Sequence, residues 1–202
     1  MSTTTSRFPR TSTNNSLSAA SQGAGSPASC LKRLVRGPAL RILGIDPGLA
    51  SVGFGILESC GGRLRYLKHG CIVTRKEEDM GKRLLAIFAA ISNLIEEWEP
   101  GAAAMESLYF WKNVSSAMPV AEAKGVIRLA CARAFLPLVE YSPTAIKQAV
   151  SGSARAEKDQ VQEMVRIILG LEDIPRPDHA SDALAAAICR ANHESPFFVS
   201  QR

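Results

Sequence analysis

The stretch "LRILGIDPGLASVGFGILES", residues 40–59, decides the fold. A short apolar run ends in Asp46, Pro47-Gly48 follows, and a second apolar run sets in at Val52. Aspartate bonds its own backbone, proline presets φ and glycine accepts positive φ, so Asp-Pro-Gly is good turn chemistry. Two strands joined by a turn are the reading. "GGRLRYLKHGCIVT" (61–74) opens on Gly61-Gly62 and alternates Leu64, Tyr66 and further apolar positions, which predicts a third strand with one face in water. The three strands make an antiparallel meander.

Beyond the meander the period changes. "MGKRLLAIFAAISNLIEEWEP" (80–100) places Leu84, Leu85, Ile87, Phe88, Ile91, Leu94 and Ile95 near helical spacing and stops at Pro100. "GAAAMES" (101–107) reads as a short buried strand, "SSAMPVAEAKGVIRLACARAF" (115–135) as a helix of small residues, and "LPLVEYSP" (136–143) as another strand. Helices are then expected near Thr144–Gln148, over Glu157–Leu169, and from about Asp178. The fold class is α/β, a mixed sheet with helices on its faces.

Charge is unevenly spread. The net charge is +5, yet residues 1–41 hold Arg7, Arg10, Lys32, Arg33, Arg36 and Arg41 and no acid. The remainder carries 18 basic and 19 acidic residues, so any nucleic-acid surface there is a local patch. Residues 1–39 form a basic, Ser/Thr-rich leader, too poor in large apolar groups to offset the entropy of ordering, and are expected to be disordered. That composition also fits an organellar transit peptide, the alternative to a bacterial cytoplasmic protein. Residues 40–195 are expected to form one domain and 196–202 a tail. No apolar run reaches the roughly 18 residues of a membrane span, so no membrane partner is expected. Five scattered cysteines without a CxxC pair suit neither a disulfide framework nor a zinc knuckle.

Three acids stand where chemistry would be expected. Asp46 ends the first strand, and ligands of open α/β sheets bind beyond the carboxyl ends of strands. Glu106 also ends a buried strand, where a carboxylate is costly unless paired; if that strand lies beside the first, the two acids converge. In "RPDHASDALAAA" (176–187), Asp182 falls in the first turn of a helix, with His179 three residues earlier on the same face. Asp178 is near that face as well, but Asp directly before an apolar helix is a preferred N-cap. Acids and imidazole without cysteine suit a hard cation, Mg²⁺ or Mn²⁺. Two such ions about 4 Å apart form a clamp for phosphodiester hydrolysis.

The stretches "ILGIDPGLASVGFGIL", "MESLYFWKNVSSAMPVAEAKGV", "AIKQAVSGSARAEKDQVQEMV" and "DHASDALAAAI", in that order, resemble the RuvC family of Holliday-junction resolvases within the RNase H-like superfamily. The resemblance covers about residues 40–193. It implies an RNase H-like five-stranded sheet, three antiparallel strands then parallel ones, and a homodimer that nicks a four-way DNA junction symmetrically with two Mg²⁺ per site, Mn²⁺ substituting. It also implies RuvA and RuvB branch-migration proteins as partners. Asp46, Glu106 and Asp182 match the family's catalytic acids, and His179 falls at the fourth ligand position, where many members carry Asp and others His. Lys147 and Lys158 match lysines near the scissile phosphate, where a cation offsets transition-state charge. Tyr109 matches an aromatic that stacks on a base at the crossover, and Lys112 and Arg155 are candidate DNA contacts. Two other readings compete. The Gly-Ile-Asp-Pro-Gly turn resembles actin-like ATPases, which need two domains that this length cannot supply. A junction-binding protein with a disabled metal site would have no need of three retained acids.

Overall fold

In the computed structural model, which describes residues 39–107 and 114–194, the first run forms strand β1 (Leu40–Asp46). Ile42, Leu43 and Ile45 are fully buried, as a central strand covered on both faces requires. β2 (Ser51–Cys60) returns antiparallel to it, and β3 (Arg63–Val73) adds antiparallel to β2. β4 (Ala102–Glu106) lies parallel to β1 on the other side, and β5 (Leu138–Tyr141) lies parallel to β4. The order is β3-β2-β1-β4-β5, the mixed sheet expected. Ile45 faces Met105 across the β1–β4 ladder, so one further step brings Asp46 level with Glu106.

One strand departs from its pattern. Leu57 pairs with Tyr66 but Ile56 pairs with Lys68, which leaves Leu67 as the extra residue of a bulge. Leu64 and Tyr66 therefore pack toward one face of the sheet while Leu67 and Ile72 pack toward the other. The expected alternation with water holds over residues 63–66, where Arg63 and Arg65 are exposed, and is lost beyond the bulge, where side chains are half-buried on both faces.

Helices α1 (Met80–Trp98) and α2 (Val114–Arg133) cover the face that carries Leu43, Ile45, Ala103 and Met105. Asp79 caps α1 by accepting from the Gly81 amide at 2.9 Å. Ile87, Ile91, Leu94 and Ile95 of α1 are buried as the period predicts, whereas Leu85 points to solvent. On the opposite face, α3 (Pro143–Ser151), α4 (Lys158–Leu169) and α5 (Asp178–Glu194) pack over Ile42, Ala102 and Ala104. Glu106 lies on that face, since it alternates with Ala104. No described helix is long and apolar enough to cross a membrane. The leader up to residue 38, the segment 108–113 with Tyr109 and Lys112, and the tail 196–202 lie outside the described residues.

The approach of α5 to the sheet is what positions the site. Gly44 and Gly55 face each other across β1 and β2, and Gly53 stands opposite Asp46. A Cβ on Gly44 would come within 1.9 Å of the Ala183 carbonyl oxygen, and one on Gly53 within 1.9 Å of the His179 carbonyl oxygen. Ala180, Ala183, Ala186 and Ala187 are fully buried on the helix side. Backbone thus lies almost directly on backbone, a contact that glycine inside a strand permits.

Candidate active site

Asp46 leaves the sheet into the turn 47–50, which is tied down from below. The Thr74 hydroxyl donates to the Leu49 carbonyl at 2.6 Å, and the buried Arg83 donates through Nε to that hydroxyl at 2.9 Å. The glycine contact then delivers the first turn of α5 to the same edge. His179 Nδ1 lies 2.6 Å from Asp46 Oδ2, within hydrogen-bond distance. Asp46, His179 and Asp182 each offer a ligand atom, all within 4.8 Å of one another. Glu106 stands outside this trio and, with Asp182, Lys147 and Lys158, lines a cleft of about 260 Å³ whose walls include Ile146 and Val161.

Burial and like charge act together on the acids of the cluster. Burial, followed by the charges of Asp46 and Asp182, pushes the Glu106 carboxyl up to about 7 despite nearby Lys124 and Lys147. Burial raises Asp182 too, with Lys158 opposing it. Lys158 Nζ sits 3.1 Å from Asp178 and 3.4 Å from Asp182. Lys147 donates to the Ala156 carbonyl at 2.7 Å, which holds it at the cleft wall. Arg155 is exposed in the α3–α4 loop and is not among the residues lining the cleft.

The sequence predicts Asp178 as the N-cap of α5, but α5 begins at Asp178 itself, and its carboxylate is engaged by Lys158 and by Arg176 at 2.5 Å. Pro177 holds the position before the helix and its carbonyl accepts from the Ala180 amide. Asp178 serves instead as a first-turn negative charge. Those ion pairs hold its carboxyl below the usual range, the Lys158 contact first.

Sequence reasoning missed Gly44, Gly53 and Gly55, although glycines inside an apolar strand were the available signal. It also missed Lys124 of α2, for which no local signal exists. The donor set itself, carboxylates and an imidazole without sulfur, fits a hard divalent cation. The rise at Glu106, owed first to burial and then to the charges of Asp46 and Asp182, is one that a bound cation would oppose.

A mixed sheet with acids at the carboxyl ends of β1 and β4, faced by an acid on the closing helix, is an RNase H-like fold with a candidate metal centre. Residues 42–190 match the family model for crossover junction endodeoxyribonuclease RuvC. The crossover junction endodeoxyribonuclease RuvC of Treponema denticola is 52% identical over 151 residues, covering 75% of this chain and 85% of the relative. The Thermus thermophilus RuvC structure superposes with a TM-score of 0.72 at 34% identity, covering 76% of this chain and 95% of that one. T. thermophilus RuvC in complex with Holliday junction substrate gives 0.71 at 32% identity, covering 76% and 94%. The chain belongs to the RuvC family.

Proposed function

We propose that this chain is a metal-dependent endonuclease that resolves four-way DNA junctions by paired, symmetric nicks. The observation that carries the reading is the convergence of Asp46, Glu106, His179 and Asp182 with two lysines on one cleft. Asp46, His179 and Asp182 would hold one Mg²⁺, with Asp46 and Glu106 holding a second; Mn²⁺ would substitute. When bound, such ions supply Lewis acidity at the scissile phosphate. The protein's own part is to bind and orient. Lys147 and Lys158 place positive charge at the cleft wall, where a phosphate diester enters and its transition state gains charge. Glu106 must give up its proton to serve as a ligand. Ile146 and Val161 line the same cleft and would set apolar wall beside the phosphate.

A second copy completes the symmetric cut, since a two-fold protein suits a near two-fold junction. Met118 and Leu129, exposed on α2, supply apolar surface for it. Tyr109, Lys112 and Arg155 are assigned to DNA contacts, with branch-migration proteins as partners and the bacterial cytoplasm as the setting. The relatives' names and the junction complex of the T. thermophilus protein support this reading.

Nicking of a synthetic four-way junction tests it. Asp46→Asn, Glu106→Gln and Asp182→Asn should each lower cleavage about 100-fold or more while junction binding persists. His179→Ala should be strongly impaired and Asp178→Asn mild. Binding without cleavage by the unsubstituted protein, in both Mg²⁺ and Mn²⁺, would instead select the junction-binding alternative.

A further inference from the structure

Glu106 is approached from both sides of the sheet. Its carboxylate faces the cleft, while its main-chain carbonyl accepts from Lys124 Nζ at 3.1 Å. Lys124 comes from α2 on the other face and is only 4% exposed. The same ammonium donates to Glu140 Oε2 at 2.8 Å. Glu140 stands in β5 opposite Met105 and is also held by Arg128 Nε at 2.8 Å. One buried cation thus ties β4 to β5 where the ladder runs out, next to the Ser107 amide that donates to the Tyr141 carbonyl.

A buried ion pair is a poor source of stability compared with an apolar replacement, but its directional bonds fix geometry. Here the fixed point is the backbone of a proposed metal ligand. We infer that Lys124 is a positioning residue, clamping the end of β4 from behind so that Glu106 presents its carboxylate at the distance set by Asp46. This rests on the proposed metal-dependent nuclease. The contact is with the backbone, since Lys124 touches the carbonyl of Glu106 from across the sheet, while its charge also opposes the burial-driven rise of the Glu106 carboxyl. Mn²⁺ affinity is therefore compared at a pH well above that at which Glu106 ionises, where an effect on protonation alone fades.

The test compares the unsubstituted protein with Lys124→Met, Lys124→Arg and Glu140→Gln. Mn²⁺ affinity is read by calorimetry, cleavage against metal concentration on a four-way junction, and junction affinity without divalent ions. Lys124→Met should weaken Mn²⁺ binding about 10-fold, as loss of a partner behind a ligand does. Its cleavage should need correspondingly more metal, with junction affinity unchanged. Lys124→Arg, still a buried donor, should recover most of the loss, and Glu140→Gln should shift the metal requirement in the same direction by less. An Mn²⁺ affinity for Lys124→Met equal to the unsubstituted protein's, measured where both are folded, overturns the inference. So does a loss that arginine does not repair. Should Lys124→Met fail to fold, an unchanged metal requirement in Glu140→Gln overturns it equally. An unsubstituted protein that binds Mn²⁺ without cutting sinks the nuclease reading, while the affinity comparison still decides the role of Lys124.

Discussion

A carboxyl that titrates at about 7 makes Glu106 a proton store at the site. Below that pH the metal-free protein holds the proton, and a cation must expel it to gain the ligand. Mn²⁺ affinity should therefore climb as pH rises to about 7 and level off above; calorimetry at about pH 6 and 8 should show proton release at the lower value. The sign for stability is opposite. Glu106 ionises from 4.5 in the unfolded chain, so between about 4.5 and 7 the unfolded state sheds its proton first and metal-free stability falls as pH rises. Glu106→Gln should flatten that fall in urea melts. Asp46 and Glu106 could be singled out as candidates because an acid that ends an apolar run is a local anomaly, and Asp182 because it stands in the first turn of an alanine-rich helix beside His179. Lys124 was not, since a lysine on a helix reads as solvated until the fold brings Glu140 against it. The cap assigned to Asp178 misread a local preference: Lys158, twenty residues earlier on another helix, takes the carboxylate instead.

At the scale of elements, α5 and its glycines do for the site what side chains do elsewhere. The distance from Asp46 to His179 and Asp182 is set by how closely one backbone can lie on another. Gly53→Ala tests this, because the new Cβ must displace the His179 carbonyl. It should cost about 1–3 kcal/mol or more in denaturant unfolding, and surviving protein should bind Mn²⁺ more weakly. Stability loss with unchanged metal affinity would mean that the site does not depend on this contact. The helix itself was legible in its alanine run. Its partner surface was not, since glycine in a strand announces a close approach without saying to what. The bulge at Leu67 was hidden similarly, as a one-residue insertion shows itself only against the strand it pairs with.

For the molecule as a whole, the order and type of elements could be read from periodicity, because each segment's pattern belongs to that segment. The placement of β4 beside β1 could be stated only as a condition, for it joins residues some sixty positions apart. Charge distribution was equally local: residues 42–202 are nearly neutral, and the cations at the site are paired with particular acids, Lys124 and Arg128 with Glu140, Lys158 and Arg176 with Asp178. The seating of α5 also has a bearing on time. The chain is made from its amino end, so among the described helices the one that carries His179 and Asp182 is made after the others. A polypeptide stopped at about residue 172 should keep Asp46 and Glu106 yet fail to bind Mn²⁺, and its bare sheet face should take up an apolar dye. Of the proposed ligands, Asp46 and Glu106 are thus made well before His179 and Asp182, and the proposed metal centre is complete only once α5 has been made and seated.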